Sequence, residues 1–375
     1  MKRWSVFLLL LGLAFFPASC KESGYSHLRP FSGKDTLATA TPLESSTEKK
    51  GTSPIQGDFA AQKKEGLRTM SESKTTALKK QGGYAHVRTG DSILTVVNHP
   101  AFKGFGRYIL PRDNDLLGKD TPLADIHSLL PYHGHVNPGT VVGAINHMID
   151  EVNDGKTIFY NFYTEQQKRE DSTKESTGLF FFRGKPGAPF AIVCPGGGFS
   201  YVGSLHEGFP HALELSKRGY NAFVLKYRVG SELRATEDLA AAVSYVFKKA
   251  EMFEVSVENY SLWGSSAGAR MVGNIALNGT ASFGGYDLPK PRIVVIAYTG
   301  QTSFSKNYPP AFITVSEDDR IVNVSVVDQR VENMRKAGIE VEYRRYKNAG
   351  HGFGLGVGTD AEGWIEYAIQ FWEHH

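Results

Sequence analysis

Tyr260-Ser261-Leu262-Trp263-Gly264-Ser265-Ser266-Ala267-Gly268 is the stretch on which the fold turns. An apolar run with strand composition enters G-x-S-x-G and leaves into a helical pattern over residues 267–277. A serine lifted on a sharp strand-to-helix turn needs small neighbours, and Gly264 and Gly268 stand where side chains would collide with adjacent backbone. The five letters alone are a weak signal; their position between a strand and a helix makes them specific. Ser266 as a simple helix N-cap would account for only half of this pattern. Ser265 occupies the variable position.

Working outward, apolar runs rich in β-formers recur at 179–183, 190–194, 222–227, 260–263, 293–298, 312–315 and 341–346. Between them lie helical patterns at 210–217, 237–250, 267–277, 325–337 and 362–372. Continuous apolar strands alternating with amphipathic helices imply an α/β fold with a mostly parallel central sheet covered by helices on both faces. No repeat of fixed period is present. Earlier in the chain, Val141, Ile145, Met148, Ile149 and Val152 form one helical face over 140–152, stopped by Asn153-Asp154-Gly155.

Three further segments carry chemistry. Cys194-Pro195-Gly196-Gly197-Gly198-Phe199 follows a buried strand, and its glycines free backbone N–H groups to point at a developing oxyanion. A phosphate-binding loop would instead show G-x-G-x-x-G and a downstream acid, and neither is present. After the strand at 312–315 come Glu317, Asp318 and Asp319, at a strand end from which an acid reaches the crevice above the sheet. Residue chemistry alone leaves Asp318 and Asp319 open. Asn348-Ala349-Gly350-His351-Gly352-Phe353-Gly354 then presents a histidine between glycines. The chain order serine, acid, histidine is that of a nucleophile, its orienting acid and its base.

Over roughly residues 155–375 the chain resembles the α/β-hydrolase superfamily, near the bacterial acetyl-xylan and feruloyl esterase-like hydrolases. The glycine loop is similar to that of hormone-sensitive-lipase-like enzymes, with Pro195 where they carry histidine. The runs Asn221-Ala222-Phe223-Val224-Leu225-Lys226-Tyr227-Arg228 and Ala361-Glu362-Gly363-Trp364-Ile365 also recur in such proteins. The resemblance implies Ser266 as nucleophile, His351 as base, Asp319 as acid by its D-x-x-V context, and Gly197, Gly198 and Ala267 as oxyanion donors. It implies serine ester hydrolysis through an acyl-enzyme on a small-molecule or oligosaccharide ester, with no metal or organic cofactor. Tyr201, His206 and Glu207, just past the glycine loop, are expected to edge the acyl or alcohol pocket. Two rivals stand beside this reading: a surface lipoprotein that keeps the fold for glycan or partner binding, and a serine peptidase-like hydrolase. The peptidase relatives usually carry a large propeller, for which 82–154 is too short. Some relatives are called xylanases, but glycoside cleavage needs two opposed carboxylates, and no pair has a better claim than the triad acids.

Lys2 and Arg3, the apolar run 6–16, then Pro17-Ala18-Ser19-Cys20 follow the layout of an export signal. The small pair before Cys20 resembles a lipobox, so the expectation is a signal peptide at 1–20, lipidation of Cys20 and a membrane-anchored exported protein. Residues 21–81, rich in Lys, Ser, Thr, Gly and Glu, read as a flexible tether. Residues 82–154 read as an N-terminal extension packing on a catalytic domain at 155–375. Of the chain's 375 residues, 42 are Lys or Arg and 39 Asp or Glu, a balance too even for a general nucleic-acid surface. Its two cysteines exclude a disulfide framework, and Cys194 at the end of an apolar run reads as a buried small hydrophobe. His127, His133 and His135 cluster in sequence, but with no carboxylate at ligand spacing they read as pocket lining or surface rather than a metal site.

Overall fold

A computed structural model describes residues 83–112 and 120–375. The expected signal peptide, Cys20 and the tether lie outside the described residues. Among the described residues, eight strands form one sheet: β1 (Phe159–Tyr160), β2 (Gly178–Phe182), β3 (Pro189–Cys194), β4 (Asn221–Lys226), β5 (Ser256–Ser265), β6 (Ile293–Ala297), β7 (Ala311–Ser316) and β8 (Val341–Tyr346). Their spatial order is β1-β2-β4-β3-β5-β6-β7-β8. The two pairings of β2 are antiparallel and all others parallel. This is the α/β-hydrolase architecture.

Every residue of β2, β4, β6 and β7 is buried, which explains why these strands read as unbroken apolar runs. The helices that cover the sheet and hold its site are α1 (Pro138–Asn153), α2 (Phe209–Lys217), α3 (Glu232–Lys248), α4 (Ala267–Asn278), α5 (Val324–Lys336) and α6 (Trp364–Glu373). α1 and α6 pack against α2, while α3 packs against α4. The site lies at the carboxyl ends of β3, β5, β6 and β7, where chain leaving the parallel strands converges.

Two boundaries differ from the sequence expectation by more than two residues. α3 begins at Glu232 rather than 237, because Ser231 caps it by accepting the Arg234 N–H at 3.3 Å. β5 begins at Ser256 rather than 260; its first four residues are partly or fully exposed, and all but Val257 are polar, so they lack an apolar signature. The helical face expected at 140–152 is buried in α1 through Val141, Ile145, Met148 and Ile149.

The described residues before α1 join the same core. Ile93, Val96, Phe102, Ile109, Leu110, Leu123 and Ile126 are fully buried within it. Phe105 stacks on Phe159 of β1, with centroids 5.2 Å apart. Asn146 of α1 closes a two-way clasp on the Val87 backbone, accepting its N–H at 2.9 Å and donating to its carbonyl at 3.0 Å.

Candidate active site

β5 ends at Ser265, and Ser266 follows with φ 49° and ψ −112° before α4 starts at Ala267. A non-glycine residue in this region is strained by roughly 1–3 kcal/mol and persists only where its surroundings over-determine it. Here they do. The Ser266 N–H donates to the Ala297 carbonyl at the end of β6, at 2.9 Å. A Cβ on Gly268 would stand 1.9 Å from the Cys194 carbonyl oxygen, and one on Gly264 would stand 2.5 Å from the Gly268 oxygen. The two glycines let β3, β5 and the start of α4 cross closely enough to hold Ser266 above the sheet.

His351 follows β8 in the glycine-flanked loop. Its Nε2 lies 2.9 Å from Ser266 Oγ and its Nδ1 lies 2.7 Å from Asp319 Oδ2. The other Asp319 oxygen accepts the N–H groups of Ile321 and Val322, each at 2.8 Å, so the whole carboxylate is hydrogen-bonded and its side chain has no exposed surface. Asp318, the competing acid, faces another way. Its Oδ1 accepts from Ser316 Oγ and from the Gly350 N–H at 2.8 Å, while Ser316 Oγ accepts the Ala349 N–H at 2.9 Å. Burial would raise its pKa, but these hydrogen bonds outweigh burial and hold the Asp318 carboxyl below the usual range. The two neighbouring acids thus divide the work: one meets the histidine ring and the other holds the histidine's loop.

The glycine loop turns beside Ser266. Gly197 has φ 130° and Gly198 φ 60°, and a Cβ on Gly197 would fall 2.2 Å from the Tyr201 carbonyl oxygen. The Ala267 amide opens α4, where the first N–H groups of a helix have no intrahelical acceptor. A cavity of about 470 Å³ opens in front of Ser266, Ala267 and Gly198. One wall is apolar, from Phe199, Ile321, Val322 and Val326; the other carries the Glu232–Arg270 ion pair, with N···O at 2.7 Å.

Tyr201, His206 and Glu207 do not edge this cavity, contrary to the sequence expectation. All three are buried: His206 and Glu207 lie in a π-helical turn at Ser204–Gly208, and the Tyr201 hydroxyl accepts the Tyr132 N–H at 3.0 Å. Glu207 Oε2 accepts the Gly196 N–H at 2.6 Å and lies 3.1 Å from His133 Nε2; its Oε1 accepts the Tyr298 hydroxyl at 2.7 Å. Burial favours the neutral acid, yet His133, His206 and the Tyr298 hydroxyl outweigh it and hold the Glu207 carboxyl well below the ordinary range. His206 donates to the Gly352 carbonyl at 3.0 Å, and burial together with the facing His133 pushes its pKa down to about 3.

His133 belongs to this buried network, whereas His127 and His135 are exposed. Among the described residues, no three His, Cys, Asp or Glu side chains stand together as metal ligands. Cys194 is fully buried, and burial pushes its thiol well above the ordinary value. The His133–Glu207–Tyr298 network has no motif. Its only sequence signal is a set of polar residues in apolar surroundings, dispersed over 165 positions.

Residues 183–288 match the model of the BD-FAE family. An acetylxylan esterase of Xylanibacter ruminicola is 26% identical over 224 residues, covering 51% of this chain and 45% of that protein. The endo-1,4-beta-xylanase B of Butyrivibrio fibrisolvens is 26% identical over 226 residues, covering 48% of this chain and 35% of that protein. The chain therefore spans less than half the length of either relative. Among solved structures, an α/β hydrolase from a Medee basin deep-sea metagenome library is 22% identical with a TM-score of 0.46, covering 53% of this chain and 92% of that one. An acetyl ester-xyloside bifunctional hydrolase from Caldicellulosiruptor lactoaceticus is 21% identical with a TM-score of 0.46, covering 53% of this chain and 88% of that one.

Proposed function

We propose that the chain is a serine carboxylic-ester hydrolase that removes acetyl or similar acyl groups from carbohydrate or small esters through an acyl-enzyme. The observation that carries this reading is the unbroken hydrogen-bonded line from Asp319 through His351 to Ser266, beside a glycine loop and a helix N-terminus. His351 Nε2 takes the Ser266 proton as Oγ attacks the ester carbonyl. The resulting oxyanion is received by the amides of Gly197, Gly198 and Ala267, and each such donor contributes about 10²–10³-fold to kcat. The tetrahedral intermediate collapses as His351 returns the proton to the departing alcohol. Water then attacks the acyl-enzyme with His351 again as base, releasing the acid and restoring Ser266. Asp319 holds the imidazole in the tautomer that presents Nε2 to the serine and stabilises the imidazolium between steps.

The carbohydrate side of the proposal draws on the acetylxylan esterase and xylanase relatives. The mixed apolar and ionic walls of the cavity suit an acyl group on one side and a polar alcohol on the other. Turnover of p-nitrophenyl acetate and release of acetate from acetylated xylan test the reading. The expected result is hydrolysis of both, fluorophosphonate labelling confined to Ser266, and a loss of about 10⁵–10⁶-fold in kcat for Ser266→Ala. Equal turnover by wild type and Ser266→Ala would overturn it.

The N-terminal pattern ending at Cys20 supports export and lipid anchoring at that cysteine. Among the described residues no helix is long and apolar enough to cross a membrane. Incorporation of labelled palmitate that persists in Cys20→Ser would exclude lipidation there.

A further inference from the structure

The glycine loop could hold its shape through its own turns, but the structure ties it to a distant part of the chain. His133 comes from the N-terminal residues before α1, and its side chain is 2% exposed. It sits between the two loops that flank Ser266. A Cβ on Gly203, in the glycine-loop segment, would stand 2.7 Å from the His133 ring; one on Gly352, in the histidine loop, would stand 2.9 Å from His133 Cα. The next residue, Gly134, donates its N–H to the His351 carbonyl at 3.0 Å.

The hydrogen bonds assign the ring's orientation. Tyr201 OH accepts the Tyr132 N–H at 3.0 Å, so its own proton is free to go to His133 Nδ1, 2.7 Å away. The Nε2–H of His133 then donates to Glu207 Oε2. Glu207 receives three donors in all: His133, the Gly196 N–H and the Tyr298 hydroxyl. Gly196 itself is confined, because a Cβ there would meet Glu207 Oε2 at 2.7 Å and Ser266 Cβ at 2.9 Å. The carboxylate therefore sets the position of the first loop glycine relative to the nucleophile, and His133 sets the position of the carboxylate.

We infer that His133 is a positioning residue for the oxyanion-binding loop, acting through Glu207 on the Gly196 amide, so that the segment just before α1 completes the site. The role rests on the ester-hydrolase reading and deepens it. It is selective for the transition state: a loop displaced by a fraction of an ångström still admits a planar ester but meets the tetrahedral oxyanion poorly. The substrate's KM stays nearly constant, and kcat falls.

Two substitutions separate this role from simple core packing. Glutamine extends its amide to roughly the place of the histidine Nε2 and can still donate to Glu207, whereas asparagine reaches only the Nδ1 side. In the full-length protein, His133→Asn is expected to lower kcat on p-nitrophenyl acetate about 100-fold with KM changed less than about threefold. His133→Gln is expected to recover most of that loss. Affinity for a trifluoromethyl ketone, whose hemiketal on Ser266 carries the oxyanion, should weaken in parallel with kcat. Glu207→Gln provides an independent arm: one carboxamide oxygen cannot accept all three donors, and the expected kcat loss is again about 100-fold. Circular dichroism and thermal melting establish that each variant is folded. If His133→Asn fails to fold, Glu207→Gln decides. Wild-type kcat in folded Glu207→Gln, equal losses in the asparagine and glutamine variants of His133, or a change confined to KM would each overturn the inference. Those results leave wild-type turnover intact, whereas a wild type with no esterase activity would fail the underlying reading and this inference with it.

Discussion

The serine turn and the glycine loop are both built from glycines within a few ångströms of one another, yet they are held by opposite means. Gly264 and Gly268 act locally: the backbones that exclude a Cβ there belong to the same turn and to the neighbouring strand β3. The loop at 195–203 is held from afar. Pro195 O accepts the Tyr227 hydroxyl at 2.8 Å, Val202 N–H donates to Pro111 O at 3.1 Å, and Gly196 N–H meets Glu207, which is gripped by His133 and Tyr298. A turn made by crowding tolerates little change of shape, while a loop made by hydrogen bonds to distant side chains can be detuned without unfolding the protein.

The largest effect expected separates the two acids behind the serine turn. Asp319→Asn should cost about 10⁴-fold in kcat by presenting the wrong histidine tautomer. Asp318→Asn, which weakens the Gly350 and Ser316 contacts that hold the histidine loop, should cost about 10–100-fold, as for other displaced catalytic groups. Steady-state kinetics on p-nitrophenyl acetate with both variants checks the order, and a reversed order would reassign the acid.

Next in size, Gly197→Ala should lower kcat about 10²–10³-fold by turning away an amide proposed to hold the oxyanion, since its Cβ would meet the Tyr201 carbonyl oxygen at 2.2 Å. The protein should remain folded by circular dichroism. The same substitution at Gly268, against the Cys194 carbonyl at 1.9 Å, should instead prevent stable folding. If both variants fold equally well, the contrast between crowded turn and tethered loop is lost.

The tethering network should also be visible in pH dependence. His206 has a pKa of about 3 in the folded protein against an unfolded value near 6.5, so the unfolded chain binds more protons between those values. Stability from this group is complete above pH 6.5 and is lost as pH falls toward 3, by up to about 1.4 kcal/mol per pH unit. Between pH 6.5 and 4.5, urea unfolding of His206→Gln should show a slope shallower by about that amount. An unchanged slope would remove His206 from the network's electrostatics.

The smallest expected effect is a gain. Ser266→Gly should raise stability by about 1 kcal/mol through relief of the strained backbone, while abolishing turnover. Differential scanning calorimetry measures it, and a lowered Tm would show that Ser266 contributes more to packing than its strain costs.

Much of the fold was legible because burial leaves a mark on composition. The central strands are covered on both faces and read as apolar runs, and G-x-S-x-G carries its own local reason for bending. β1, two residues long, and the exposed start of β5 carry no such mark. Of the residues that the fold brings together beside Ser266, the glycine loop and His351 stood out in the sequence, since each is marked by glycines adjacent in the chain. Asp318 and Asp319 could not be separated by local chemistry alone, because their difference is one of direction after the same strand. Tyr201, His206 and Glu207 were expected to edge the pocket but are buried, since neither the π-helical turn that carries His206 and Glu207 nor the contact of Tyr201 with the Tyr132 backbone gives a compositional signal.

Sequence alone determined the alternation of strand and helix, the strained serine turn and the order of serine, acid and histidine, because all three arise from contacts between near neighbours or from uniform burial. Only the tertiary structure decided which acid faces the imidazole and how His133, Glu207 and Tyr298 meet beneath Gly196. Those arrangements depend on contacts between residues 32, 74 and 91 positions apart, whose geometry exists only once the sheet has brought its strand ends together.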